Sequence, residues 1–308
     1  MIRYAFRRLI LLIPVVIAVT FLVFFIISLT PGDIAAMKIG AGATQESIQQ
    51  LREEMGLNDP IIIQYGRYIK NLAFGDMGIS YSTGKPVSLE IASRFPNTLN
   101  LTILSIIISV LISIPIGVVS ATKQYSIFDN IGMLLALIGI SMPSFWFGLT
   151  LIIMFSLRLG WFPSGGAEGI KSIVLPALTL GVASTASITR VARSSMLEVL
   201  PQDYIRTAKA KGATGSSVIL KHALKNALIP TITIIGLEFG ELLGGAILTE
   251  TVFAWPGIGR LMVESITRKD IPMVLGCIIV FSVGFSIVNL IVDILYAYID
   301  PRIKANYT

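Results

Sequence analysis

Three carboxylates sit inside long apolar stretches of this 308-residue chain: Glu238 and Glu241, three positions apart, and Asp293, one helical turn after Asn289. An ionised acid facing hydrocarbon is costly, so each must face protein, a partner charge or a water-filled path. For Glu238 and Glu241 two readings stand. Either they border a solute path and give it a local negative field, or they are structural acids in a seam between subunits. Asp293, near the end of its stretch, reads as a structural anchor ahead of a substrate contact. Other chemistries lack their parts. One histidine, His222, and one cysteine, Cys277, cannot assemble a zinc centre, an iron–sulfur cluster, a disulfide or a Ser–His–Asp set. The chain has no phosphate-cradling Gly-Lys loop and so does not hydrolyse ATP by that route. The expected catalytic and metal sets are therefore empty.

The elements that position these residues follow from composition. The chain is 54% hydrophobic and 14% charged, with a mean hydropathy of +0.80, which excludes a water-soluble enzyme. A bilayer core of about 30 Å takes about 20 helical residues. Six apolar runs meet that length: Leu9–Leu29, Thr98–Val119, Ile131–Leu157, Ile173–Thr189, Leu228–Thr249 and Met273–Ile299. The expectation is an all-α integral membrane protein with six transmembrane helices. Arg3, Arg7 and Arg8 precede the first run, and no small-residue cleavage site follows it, so it reads as an uncleaved anchor.

Placing the N-terminus inside puts 13 Lys and Arg on the shorter, inner segments, Arg302 and Lys304 among them. The longer outer segments carry 11, balanced by 11 acids. That bias puts both termini in the cytoplasm, and the net charge of +6 marks a membrane face, not a nucleic-acid groove. The organisation read from the sequence is a tail and first helix over 1–29, an extracytoplasmic cap over 30–97, and a five-helix core over 98–308. In the cap, Asp59-Pro60 starts a helix with proline at its first position, and Ile61, Tyr65, Tyr68 and Leu72 recur at helical spacing before Gly75. In the third run, Trp146 and Phe147 follow Pro143 and read as packing of a kinked helix. After the fifth run, Trp255-Pro256-Gly257 and the charged residues Glu264, Arg268, Lys269 and Asp270 either touch a partner or cap the bundle.

In the fifth run Gly236, Gly240 and Gly244 recur every four residues, a stripe that lets a neighbouring helix approach closely. At about 100° per residue, Glu238 and Glu241 lie roughly 130° away on another face. The inner segment at about 190–227 is rich in Lys and Arg. Pro201 starts a short helix there, Asp203 lies in its electropositive first turn, Lys209 and Lys211 lie in its last, and Gly212 ends it. A second helix begins near Ser216 and carries Val218, Leu220, Ala223, Leu224 and Ala227; His222, in the same basic helix, reads as a surface residue. By chemistry alone the short helix is either a docking knob or a helix lying on anionic lipid.

The run Tyr204-Ile-Arg-Thr-Ala-Lys-Ala-Lys-Gly212, followed by Asn226-Ala-Leu-Ile-Pro230, resembles the cytoplasmic loop of ABC-importer permeases. Arg206-Thr207-Ala208 stands where the general pattern has Glu-Ala-Ala. Further motifs, in order, resemble the first permease of the oligopeptide/dipeptide/nickel branch: Met1-Ile-Arg-Tyr-Ala-Phe-Arg-Arg-Leu, Met55-Gly-Leu-Asn-Asp-Pro with Gln64-Tyr65, Gly75-Asp-Met-Gly-Ile-Ser, Thr83-Gly-Lys-Pro-Val87, Ser141-Met-Pro-Ser-Phe-Trp146, Ala254-Trp-Pro-Gly-Ile-Gly-Arg260 and Asp300-Pro-Arg302.

The resemblance implies a type I ABC-importer permease fold in the cell membrane and import of di- or oligopeptides, or of nickel complexes, at the cost of ATP. It implies as partners a second homologous permease, two cytoplasmic ATPase subunits and an extracytoplasmic substrate-binding protein, with membrane lipid around the bundle. ATP and Mg would reside on the ATPases, leaving this chain without a cofactor. It also makes Tyr204, Ile205, Arg206, Thr207, Ala208, Lys209, Ala210, Lys211 and Gly212 the ATPase-coupling element. An intramembrane enzyme using Glu238, Glu241 and Asp293, or an ion-coupled transporter, are the rival classes; the basic inner segment and the ordered motifs weigh against both.

Overall fold

The computed structural model describes residues 2–39 and 44–299. Met1, Asp300, Arg302 and Lys304, which enter the sequence arguments, lie outside the described residues. The first helix is α1 (Ile2–Leu29), followed by the short α2 (Ile34–Ile39), α3 (Gln45–Glu54) and α4 (Ile61–Ala73). Next come α5 (Val87–Thr122), α6 (Ile127–Ser141) and α7 (Ser144–Leu151), the last continuing as a π-helical turn over Ile152–Arg158. Then follow α8 (Lys171–Val199), α9 (Asp203–Ala210) and α10 (Gly215–Ser217), which runs through π-helical Val218–Ala223 into α11 (Leu224–Gly245). The chain closes with α12 (Ile247–Val252), α13 (Ile258–Thr267) and α14 (Ile271–Ile299). Among the described residues the only β pairing is a bridge between Ile79 and Pro86.

Five of these helices are long and apolar enough to cross a membrane, and a bent pair supplies a sixth. That pair covers the run Ile131–Leu157, and its kink at Pro143 is a sharp one. Residues Ile127–Ser141 and Ser144–Arg158 meet at 101°. The cause is local: Pro143 has no N–H to continue the ladder and biases Met142 to its extended conformation, ψ 126°. Two boundaries move. Helix α5 begins eleven residues before Thr98, because Val87 and Ile91 are buried beside Met273 and Cys277 of α14. Helix α8 continues ten residues past Thr189, so the segment between the fourth and fifth runs is mostly helix.

The most extensive packing joins α5 to α8, which run parallel. Ser109 Oγ donates to the Gly181 carbonyl at 2.5 Å and Ser113 Oγ to that of Thr185 at 3.1 Å. A Cβ on Gly117 would stand 2.8 Å from that of Ala192, and one on Gly181 would stand 2.9 Å from the Ser105 carbonyl. Small residues at every fourth position of α5 thus bring two backbones together. Helix α11 packs on α8 and, antiparallel, on α14, while α1 packs along α14.

Candidate coupling surface and intramembrane polar sites

Helix α9 sits on one end of the bundle with a narrow inward face. Ile205 and Ala208, three residues apart, are buried with Ala121, Met196, Val218, Ala223 and Ala227. Tyr204, Arg206, Thr207, Lys209, Ala210, Lys211 and Gly212 are exposed. The helix ends in a Schellman arrangement: Gly212 N–H donates to the Lys209 carbonyl at 3.0 Å and Ala213 N–H to that of Ala208 at 3.2 Å. Gly212 has φ +82°, a left-handed conformation that suits glycine. Pro201 lies two residues before the helix, in the turn leaving α8, and not at its first position; Asp203 opens the helix. The expected second helix is continuous with α11, with Val218, Ala223 and Ala227 buried, while Leu220 and His222 are exposed.

The two faces read on the fifth run meet two different helices of the same chain. Gly236 stands against Val292, so closely that a Cβ there would collide with the valine methyl. A Cβ on Gly240 would come within 3.1 Å of the Phe285 ring, whereas one on Gly244 would meet nothing within 4 Å. On the other face Glu238 lies beside Ser184 and Ser187 of α8 and is half-buried. Glu241 is exposed on the surface of the single chain. Asp293 pairs with Arg8 of α1 at 2.7 Å. Trp146 is half exposed; Phe147 packs in the cluster around Phe253. Among the described residues no group of three or more His, Cys, Asp or Glu is placed to hold a metal.

Two polar assemblies escaped the sequence reading, and a third involves residues for which it left two roles open. Arg193 of α8 grips Asp129 of α6 with two parallel bonds, Nε to Oδ1 and a terminal guanidinium nitrogen to Oδ2, each 2.8 Å. The same carboxylate accepts from the Tyr125 N–H at 3.0 Å, holding the turn between α5 and α6, where Tyr125 has φ +61°.

At the opposite end of the bundle, Glu250 of α12 is fully buried and serves as the N-terminal cap of α13. It accepts from Thr98 Oγ1 at 2.7 Å and from the Arg260 N–H at 2.9 Å, while Thr98 Oγ1 accepts from the Ile258 N–H at 2.9 Å. The carboxylate fills the space where Gly257 would carry a side chain, and a Cβ on Gly259 would meet the Ile247 backbone at 2.8 Å as well as the carboxylate at 3.0 Å, which explains both glycines of the Trp-Pro-Gly-Ile-Gly run. Burial pushes this carboxyl above its ordinary range, opposed by the hydrogen bonds from Thr98, Arg260 and Gly259. Buried Trp255 donates Nε1–H to the Asn97 carbonyl at 3.1 Å, and Asn97 Nδ2 donates to the Pro256 carbonyl at 2.9 Å.

The third assembly uses adjacent residues. Lys269, at φ +53°, donates to the Thr30 carbonyl at 2.7 Å, the Gly32 carbonyl at 3.2 Å and the Pro31 carbonyl, capping the end of α1. Asp270 accepts from the Tyr81 and Ser82 N–H groups at 3.0 and 3.1 Å and from the Ser80 hydroxyl. The segment after the fifth run therefore caps the bundle, as one of its two readings held. Glu264 pairs with Arg260 at 2.8 Å and Arg268 donates to Ser82 Oγ at 3.1 Å.

Known proteins share this architecture. The family model described as binding-protein-dependent transport system inner membrane component matches residues 113–305, and the model for the N-terminal part of such components matches 1–102. The chain is 47% identical over 332 residues to the dipeptide transport system permease protein DppB of Alkalihalophilus pseudofirmus, covering 99% of this chain and 100% of that one. It is 45% identical over 304 residues to the glutathione transport system permease protein GsiC of Salmonella paratyphi A, covering 99% of each. Among solved structures, an inward-facing MetNI methionine ABC transporter aligns with a TM-score of 0.59 and 19% identity, over 69% of this chain and 97% of that one. An amino acid ABC transporter aligns with a TM-score of 0.51 and 17% identity, over 70% and 94%. These two likenesses concern the fold.

Proposed function

Because the chain belongs to the family of binding-protein-dependent transport permeases, the membrane components of ATP-driven importers, we propose that it carries di- or oligopeptides across the cell membrane. The observation that carries the peptide reading is the end-to-end match, at 47% identity, to a permease named for dipeptides. A second relative is named for glutathione, itself a peptide, so the nickel-complex alternative is not needed. The chain is a transport component and not an enzyme; ATP hydrolysis belongs to separate subunits of the importer. A substrate-binding protein delivers the solute.

The finer assignments are ours. The exposed side of α9 docks on an ATPase subunit, which places the α9 end and both termini in the cytoplasm and Glu250, Lys269 and the cap outside. A second, homologous permease completes the path, and ATP with Mg stays on the ATPases. Glu238 and Glu241 border that path. Near Ser184 and Ser187, Glu238 supplies an acceptor for the ammonium group of a peptide, and Glu241, open in the single chain, faces the partner permease across the solute.

The testing experiment is uptake by the complex reconstituted with its ATPases and binding protein. Di- and tripeptides should be transported and should compete with one another; transport of nickel complexes alone overturns the substrate. Ala208→Pro should break α9 at a cost of about 3 kcal/mol and uncouple ATP hydrolysis from uptake, and unchanged uptake removes α9 from coupling. Cysteines at 238 and 241 should show labelling that changes with nucleotide state. Unlabelled cysteines, together with normal transport by the Glu→Gln variants, return both acids to a structural seam.

A further inference from the structure

The cap region, expected to fold outside the membrane, sends one helix back along the apolar wall. Helix α4 turns Ile61, Tyr65, Tyr68 and Ile69 toward α1 and α14. The Tyr65 hydroxyl donates to the Ile17 carbonyl at 2.7 Å and lies 2.9 Å from Thr20 Oγ1. Its ring meets Phe21 edge-on at 5.1 Å and Phe24 at 5.6 Å. The depth of these contacts is measurable along α1. Its apolar stretch ends at Leu29, and at about 1.5 Å per residue Ile17 is roughly 18 Å short of that end, while Phe24 is roughly 7 Å short. The hydrocarbon core is about 30 Å thick. The Tyr65 hydroxyl therefore lies near mid-depth of the stretch, and its ring lies beside the outer half.

Ile62 lies on the flank of that packed face and Ile63 opposite it, on the side that also carries Arg67 and Lys70. Ile62 is 75% exposed and Ile63 54% exposed. Leu22, Phe25 and Ile26 form an exposed apolar wall of α1, which α4 meets through the contact of Tyr65 with Phe21. In water such a surface would be a liability for a cap; at this depth it is ordinary. The polar residues of α4 are provided for: Gln64 donates to the Leu57 and Asp59 carbonyls, and Arg67 pairs with Asp59. Lys70, exposed in the last turn, has a stem long enough to bring its charge to headgroup level.

We propose that α4 is an interfacial helix seated in the outer leaflet, with Ile62 and Ile63 against the acyl chains of phospholipid. The occupant is lipid, and not a protein partner, because Tyr65 seats α4 against the apolar wall of α1, at Ile17, Thr20, Phe21 and Phe24. This makes the cap an element held by the bilayer as well as by the bundle.

The test uses nitroxide labels in the complete transporter in phospholipid nanodiscs. Cys277 is fully buried and stays unlabelled, so single cysteines are introduced as Ile62→Cys and Ile63→Cys. Leu22→Cys on the α1 wall is the lipid control and Lys85→Cys, exposed at the tip between Ser80 and Val87, the aqueous control. Each variant must first show the elution profile and binding-protein-stimulated ATPase of the parent. The labels at 62 and 63 should match Leu22 in accessibility to oxygen and be several-fold less accessible than Lys85 to a water-soluble nickel chelate. Accessibility to the chelate equal to that of Lys85 overturns the proposal in favour of an aqueous face. Shielding from both reagents overturns it in favour of a protein partner.

Discussion

Arg193 presents its planar fork to a carboxylate that is itself almost fully enclosed, and that geometry sets what losing either partner does. Removing one charge leaves the other buried and unpaired, which costs about 3–5 kcal/mol. Arg193→Gln should therefore lower the thermal unfolding temperature of the purified protein markedly. Arg193→Lys, which keeps the charge but not the two parallel bonds, should lower it less. Gly212 is exacting in another way. A Cβ at φ +82° costs about 1–2 kcal/mol, so Gly212→Ala should fray the end of α9, read as faster hydrogen exchange at the Ala213 amide. These two residues were unequally legible. Gly212 announced itself because a helix stop is local: basic residues in the last turn, then glycine. Asp129 and Arg193 are 64 positions apart, and each counted in the sequence only as one charge on one side of the membrane.

At the scale of elements, the helices were legible and their ends and partners were not. Apolar runs of the right length locate spans because a bilayer has a fixed thickness, but α5 and α8 continue well beyond the hydrocarbon, where hydropathy falls silent and packing decides. Pro143 signalled a kink; that it is a near right angle shows only in the extended conformation of Met142. The spacing-of-four rule picked out Gly236, Gly240 and Gly244 on α11, yet the same rule applied to Ser105, Ser109, Ser113 and Gly117 finds the seam with α8, overlooked because serine reads as polar in an apolar helix. The glycine stripe now gives a graded expectation. Leucine should be most damaging at 236, where the space is already filled by Val292, less so at 240, where the Phe285 ring can yield, and harmless to the fold of the chain at 244. Unfolding midpoints of the three variants check the order. If Gly244→Leu nevertheless prevents co-purification with the second permease proposed above, that open position belongs to the proposed interface between them.

Over the whole molecule, residues distant in sequence close one end of the bundle. Glu250 joins α5, α12 and α13, while Lys269 and Asp270 hold the end of α1 and the 80–82 turn from one corner. Capping was one of two roles read for Lys269 and Asp270, but the partners were not legible, because a cap supplied from another helix has no spacing signature; for Glu250 only the glycines at 257 and 259 hinted that something large lay against them. Glu250→Ala should strand the Thr98 hydroxyl and the Arg260 N–H, at about 1–3 kcal/mol for each buried donor. Hydrogen exchange should then rise together at the start of α13 and around Thr98, some 160 residues away; a rise confined to α13 would break the link. The α5–α8 seam has a consequence in time. Its hydroxyls donate to carbonyls made 72 residues later, which at about 5–20 residues per second is roughly 4–14 s of synthesis. Until α8 arrives, α5 must wait in lipid with its serines and threonines turned back on their own helix, as Thr102, Ser105 and Ser113 still are toward Thr98, Leu101 and Ser109. Ser113, bonded to both Ser109 and Thr185, records the handover: a nascent helix stores its sociable groups inwardly and releases them only when the ribosome has delivered the neighbour they were meant for.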